Sequence, residues 1–369
     1  MRINKQSFKK SPYNPWHLVD SRQLTGFGED VGSIQIICDI DKTYLETTFE
    51  TWVKVAKIAF EEASDKITVP GAKDLLMLAR WGDLDTSLPE EEKTKYPRAL
   101  HFVSSSPPQL RNVLEEKLIM DGVDWSSDTF KNQAYNIRKG RFDLLKHQVV
   151  YKTAAILKLI GSQAENTSFI LLGDNAESDA YIYTGIKLLV ERKLEPKTFE
   201  KYLEISGVEK EVAELLWAEI PYIPKSKIAM IFIRNIPEYE NHALPPLTKP
   251  VILFETFLDV GLHMYLQDLL AIENVSYLIR KFHNHYSLSL HELGSKLKKC
   301  INSKITEHKK NELENLFSRL FSDEDLDLNV KEKYEIPNLE EWDSITASDI
   351  LNQADAWIKA LNKSKKKES

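Results

Sequence analysis

The sequence predicts an α/β protein built on a parallel sheet, followed by an α-helical C-terminal domain. Four short apolar runs, each ending in a polar cluster, read as buried strands: Ile34 to Ile40, Ala99 to Ser104, Ser168 to Gly173, and Lys227 to Arg234. Helical periodicity fills the intervals, and strands alternating with helices imply parallel pairing through right-handed crossovers. Beyond residue 250, Phe254, Phe257, Leu258, Gly261, Leu262, Tyr265, Leu266 and Leu269 recur at amphipathic spacing, and the pattern stays helical almost to the end.

In chain order, helices over Thr51 to Ala63 and Ala72 to Arg80 are expected after the first strand, and Gln109 to Met120 after the second. Tyr151 to Ile160 precedes the third strand and Tyr181 to Arg192 follows it. Two stretches exceed compact α/β punctuation: "WGDLDTSLPEEEKTKYP" before the second strand, and a helical insertion near 193–220. The proline-rich "PEYENHALPPLTKP" places a boundary near Asn241 to Pro250. The expected units are therefore 1–240, a helical domain over 250–360, and a disordered basic tail over 361–369.

Lys and Arg number 49 against 56 Asp and Glu, a net charge of −7 that offers no broad attraction to nucleic acid or anionic lipid. Nucleic acid is not an expected partner, and an anionic substrate would have to be captured locally. Cys38 and Cys300 are too few for a disulfide framework, and no signal-peptide core follows the basic N-terminus, so a cytoplasmic location is expected. The most lipid-like segment, Pro250 to Ile272, is broken by Glu255, Asp259, Gln267 and Asp268, which argues against a transmembrane segment.

Three of the four strands end in residues able to handle a phosphate. The first ends in Asp39-Ile40-Asp41-Lys42-Thr43, the second in "VSSSPP" and the third in "LLGDNAESD". In an open parallel sheet the carboxyl ends of the strands form the ligand crevice, so these residues are expected to converge. A hard cation bound by Asp39 and Asp174 would offset their repulsion and leave a carboxylate able to attack phosphorus. Asp41 is spaced to protonate the leaving oxygen and then activate water. Ser104 and Lys152 fit the hydroxyl and ammonium that stabilise a phosphoryl transition state, with Lys146 and Lys158 as weaker candidates for the lysine.

This order resembles the haloacid dehalogenase superfamily, whose motifs are a DxDxT strand, a strand-terminal Ser or Thr, a Lys and a GDxxxxD-type acidic stretch. Within it, "CDIDKTYLET", "ITVPGAKDLL", "HFVSSSPPQL", "YKTAAILKLI", "FILLGDNAESDAYIY" and "IFIRNI" are similar to the actin-patch-associated phosphatidate phosphatase catalytic domain family, over about Ser33 to Ile236. The resemblance implies a Rossmann-like parallel sheet of haloacid dehalogenase type. The short interval Thr47 to Val69 implies a small or absent cap.

The resemblance further implies a Mg²⁺-dependent phosphatase acting through an aspartyl phosphate, with Asp39 as nucleophile and Asp41 as acid/base. Ser104, Ser105, Thr43 and Lys152 would hold the phosphate, with Thr43 also orienting the first loop. Asp39, Asp41, Asp174 and Asp179 would serve the metal. Thr47 also falls on a family position. The implied substrate is phosphatidate or a related phospholipid at a membrane surface. A soluble phosphorylated metabolite, or an inactive interaction protein on the same scaffold, are the alternatives. The chain departs from the family at Lys42, where a second consecutive aspartate is usual, at Asn175-Ala176 and at Pro108, and these departures bear on the substrate.

Other conspicuous residues have plainer readings. Strand alternation turns Cys38 away from Asp39 into the core. His283, His285 and His291 lack the partners of a zinc site, and "SSSPP" lacks the context of a serine nucleophile. The cluster Arg138, Lys139, Arg141 and Lys146 reads as a solvated face, with guidance of a phosphorylated headgroup as the sharper alternative.

Overall fold

A computed structural model describes residues 14–24, 34–46, 63–82, 97–132, 148–239, 251–321, 330–334 and 346–365. The expected helix over Thr51 to Ala63, apart from Ala63, lies outside them. So do Thr47, most of the acidic insertion before the second strand, and the basic cluster Arg138, Lys139, Arg141 and Lys146.

The described residues form a mixed α/β structure around a seven-stranded sheet. Its strands are β1 (Val19–Gln23), β2 (Ile34–Asp39), β3 (Leu100–Ser104), β4 (Ser127–Lys131), β5 (Ser168–Asp174), β6 (Lys227–Arg234) and β7 (Val251–Phe254). The spatial order is β1-β4-β3-β2-β5-β6-β7, with every neighbouring pair parallel except β1 against β4. The four strands expected from apolar runs are β2, β3, β5 and β6.

The other three strands were not among those expected. β1 is an edge strand whose burial alternates, and the polar "SDTFK" of β4 is buried throughout. Asp128 of β4 is tolerated there because Arg111 Nε donates to it at 2.7 Å, while Arg111 Nη2 donates to the Asp20 carbonyl of β1 at 2.8 Å. β7 lies inside a stretch read as the start of an amphipathic helix. The expected boundary at Asn241 to Pro250 thus falls between two hydrogen-bonded neighbours, β6 and β7.

Helices cover both faces of the sheet. They are α1 (Ala72–Trp81), α2 (Arg111–Met120), α3 (Gln148–Gly161), α4 (Asp179–Val190), α5 (Pro196–Ile205), α6 (Lys210–Glu219), α7 (Phe257–Leu266), α8 (Ile272–Tyr286), α9 (Leu290–Ile301), α10 (Glu307–Phe321) and α11 (Ala347–Lys365). Strand alternation sends Ile37, Val103, Leu171 and Ile231 into one core with α3 to α6 and α11. Ile36, Cys38, Phe102, Leu172 and Phe232 enter the other, with α1, α2 and α7 to α10. The helical insertion near 193–220 is the pair α5 and α6.

The helices after residue 250 therefore pack onto the same sheet as the strands before it. Trp357 of α11 stacks on Tyr181 at 4.8 Å, and Tyr181 on Tyr202 at 4.2 Å. Because α11 continues to Lys365, residues 361–365 of the segment expected as a disordered tail are helical. Among the described residues, no helix is long and apolar enough to cross a membrane.

Candidate active site

The strand order reverses at β2: β3 lies on one side and β5 on the other, which opens a crevice beyond their carboxyl ends. Asp39 is the last residue of β2, Asp174 of β5 and Ser104 of β3. All three are fully buried. The chain then turns tightly, with Tyr44 and Leu45 both donating backbone N–H to the Ile40 carbonyl at 2.9 Å. Lys42 takes a left-handed conformation, φ 61°, at the apex of this turn.

Lys152 reaches the crevice from α3. That helix is pinned to the strand ends by Tyr151, whose hydroxyl donates to the carbonyls of Ser104 at 2.7 Å and Thr129 at 3.0 Å. Lys152 Nζ lies 2.8 Å from Asp39 Oδ1, 2.9 Å from Glu177 Oε2 and 2.5 Å from Asp179 Oδ1. Burial works against its charge, but the carboxylates of Asp179, Asp39 and Glu177 outweigh burial and raise its pKa well above the usual lysine value. Thr43 Oγ1 sits between two acids, 3.4 Å from Asp39 Oδ2 and 3.3 Å from Asp174 Oδ2.

Asp41 is held apart from this group. Its Oδ2 accepts from Ser104 Oγ at 2.9 Å and from Ser106 Oγ at 3.1 Å. Burial raises its pKa, the Glu177 charge adds to the rise, and the two serine bonds oppose it. Among the described residues, Ser105 Oγ is buried without a hydrogen-bond partner. Lys158 belongs to the last turn of α3, away from the carboxylates, and Lys146 lies outside the described residues.

Asp39, Asp174 and Asp179 bring one carboxylate oxygen each within 4.8 Å of one another. Burial raises all three pKa values, Asp174 to about 8, where the charges of Asp179 and Glu177 add to the rise. Asp39 Oδ1, although ion-paired with Lys152, accepts no well-directed hydrogen bond among the described residues. Three buried carboxylates with an unsatisfied acceptor form an all-oxygen donor set that suits a hard divalent cation such as Mg²⁺. Asp41 is not one of the three, because its carboxylate is turned toward the serines. Gly173 is required beside this cluster: a Cβ there would meet Asp179 Oδ2 at 2.4 Å and Asp179 Cβ at 2.7 Å.

Sequence reasoning missed two residues in direct contact with this group. Glu177 completes the carboxylate ring around Lys152 and is itself held by Gln148 Nε2 at 2.5 Å. Its signal was its place within the acidic "GDNAESD" stretch, between the two aspartates singled out there. Ser106 belongs to the serine triplet, and only the turn after β3 shows that the first and third serines, not the second, hold Asp41.

The fold and crevice thus define an α/β protein with a buried acid and lysine cluster at a topological switch point. Residues 34–193 match the family model described as phosphatidate phosphatase APP1, catalytic domain. The matched segment runs from the start of β2 to just beyond α4 and contains all the site residues singled out in the sequence. No curated protein and no solved structure matches the chain.

Proposed function

We propose that the protein is a Mg²⁺-dependent phosphomonoester hydrolase of haloacid dehalogenase type acting on phosphatidate or a related phospholipid at a membrane surface. The carrying observation is Asp39, at the switch point, in contact with Lys152 on one oxygen and near Thr43 on the other. The family match over residues 34–193 supports the lipid phosphate as substrate.

In this reading an Asp39 oxygen attacks phosphorus and the bond to the leaving oxygen breaks, giving an aspartyl phosphate. Asp41, whose pKa is raised by burial, gives its proton to the departing alcohol. It then takes a proton from water as that water attacks phosphorus, which frees phosphate and restores Asp39. Lys152 offsets charge on the phosphoryl oxygens, and Ser104, Ser105 and Thr43 supply hydroxyls around them. Charge neutralisation between the phosphate and the acids Asp39, Asp174 and Asp179 is what a bound Mg²⁺ would supply.

Phosphate release from phosphatidate in mixed micelles, compared with sugar phosphates and nucleotides, tests the reading in wild type and Asp39→Asn. Lipid-selective release by wild type and none by the variant is expected. Release from soluble esters alone would redirect the substrate, and no release from any compound would leave an inactive interaction protein.

A further inference from the structure

Lys42 is the residue of the catalytic turn that the reaction above does not use. It stands between Asp41 and Thr43 in a left-handed backbone conformation that a side chain disfavours, and it is buried. Its ammonium donates to Tyr239 OH at 2.7 Å and lies 4.2 Å from the centre of that ring. Its carbonyl accepts from Arg234 Nη1 at 2.8 Å, and the same guanidinium pairs with Glu46 at 2.5 Å. Beside them Asn175 donates to Asn235 Oδ1 at 2.9 Å and accepts from the Ile236 backbone at 2.9 Å.

The segment Arg234 to Tyr239, which begins at the last residue of β6, therefore forms a wall bonded to both the first catalytic turn and the acidic stretch. That wall lies outside the segment matching the family model. The two sides of the crevice differ in what they hold: Asp41 is drawn toward Ser104 and Ser106 at the end of β3, and Lys42 toward Tyr239 beyond β6.

We propose that Lys42 and Tyr239 form a leaving-group subsite, in which the ammonium and the phenol bind an oxygen acceptor on the alcohol that departs from phosphorus. The inference rests on the phosphatase reading above and deepens it. Because Asp41 protonates the bridging oxygen, the neighbouring residue on the opposite wall meets atoms about three to five bonds beyond that oxygen, where such esters carry their first oxygen acceptors. An ammonium backed by a phenol selects an ester carbonyl, hydroxyl or carboxylate there over a bare hydrocarbon. Lys42 and Tyr239 are specificity-determining residues, distinct from the groups that act on phosphorus.

The test compares kcat/KM on phosphatidate in detergent micelles, on 3-phosphoglycerate and on phenyl phosphate, which lacks a neighbouring acceptor. For Lys42→Met, the preference of the better acceptor-bearing substrate over phenyl phosphate should fall about tenfold, mainly through KM, the scale of one charge-assisted hydrogen bond. Tyr239→Phe should lower the same ratio by a smaller factor, and Lys42→Arg should restore most of it. Which of the first two substrates is preferred tells a lipid from a soluble acid. Lys42→Gly, which removes the ammonium and relieves the left-handed backbone, repeats the measurement should the methionine variant fold poorly. Equal losses on all three substrates, or no loss, would overturn the subsite and leave the pair as a brace for the turn. Wild type inactive on all three would overturn the phosphatase reading itself, and the subsite with it.

Discussion

Lys152 Nζ and Asp39 Oδ1 are 2.8 Å apart, on side chains that are each 1% exposed. The same ammonium serves Glu177 and Asp179, so one cation compensates three buried carboxylates. Removing one partner of such a group costs more than the pair contributes, because the remaining charges are left desolvated. Lys152→Met is expected to lower stability by about 3–5 kcal/mol without divalent cation, and to cut phosphate release by at least about 10²-fold. Urea unfolding with and without Mg²⁺ checks the first part, and the cation should recover much of the loss.

Cation binding should depend on pH in a defined direction. Asp174 titrates at about 8, and Asp39 and Asp179 are also raised. The folded state therefore keeps protons that the unfolded chain has already released, and the cation-free protein loses stability from these groups as pH rises from about 4 toward about 8. A divalent cation needs the ionised acids and offsets their repulsion. The rise in unfolding midpoint on adding Mg²⁺ should be larger near about pH 8.5 than near about pH 6. Asp174→Asn should flatten that difference, and chelation should abolish phosphate release.

The hydrogen bonds from Ser106 and Ser104 favour the ionised form of Asp41 and oppose the burial that raises its pKa. Removing the Ser106 donor raises the Asp41 pKa further. Since protonated Asp41 serves the leaving group, Ser106→Ala should move the alkaline limb of the kcat/KM profile to higher pH while the acid limb stays in place. A limb that moved down, or did not move, would argue against Asp41 as the acid.

His101 is buried between Ser127 Oγ at 2.7 Å and Gln35 Oε1 at 3.0 Å, and burial, with the Arg80 charge, lowers its pKa to about 3. The unfolded chain binds a proton near pH 6.5 that the folded imidazole refuses, so stability falls as pH drops from about 6.5 toward about 3. Between about pH 7 and about pH 5.5 this group alone costs about 1 kcal/mol. His101→Gln should remove that share of the slope, read as the difference between the two proteins in urea unfolding at each pH.

Gly173→Ala tests the packing behind the acid cluster. The new methyl would overlap Asp179, which begins α4 and cannot simply swing aside. Mg²⁺ affinity, read by calorimetry, should fall about tenfold or more, the scale of disturbing a ligand's support. Circular dichroism should still report a folded chain.

The strands β2, β3, β5 and β6 were legible because a strand covered on both faces reads as a continuous apolar run. β1 and β4 were not, since an edge strand can alternate, and "SDTFK" is buried only because Arg111 bonds Asp128. β7 was absorbed into the helical period that begins at its own last residue, Phe254.

Asp39, Asp41, Ser104, Asp174 and Asp179 were legible as candidates, because each stands at or just past the end of such a run. That local placement, with Lys152 in the interval, follows from the order of residues along the chain alone. Which groups these residues touch was decided by tertiary structure. Ser106 rather than Ser105 bonds Asp41, Glu177 shares the ammonium of Lys152, and Tyr239 meets Lys42 across 197 positions. Periodicity records how a side chain faces its own strand or helix. It carries no record of which other element a crossover brings to the same end of the sheet, and the partners of a buried charge depend on that arrival.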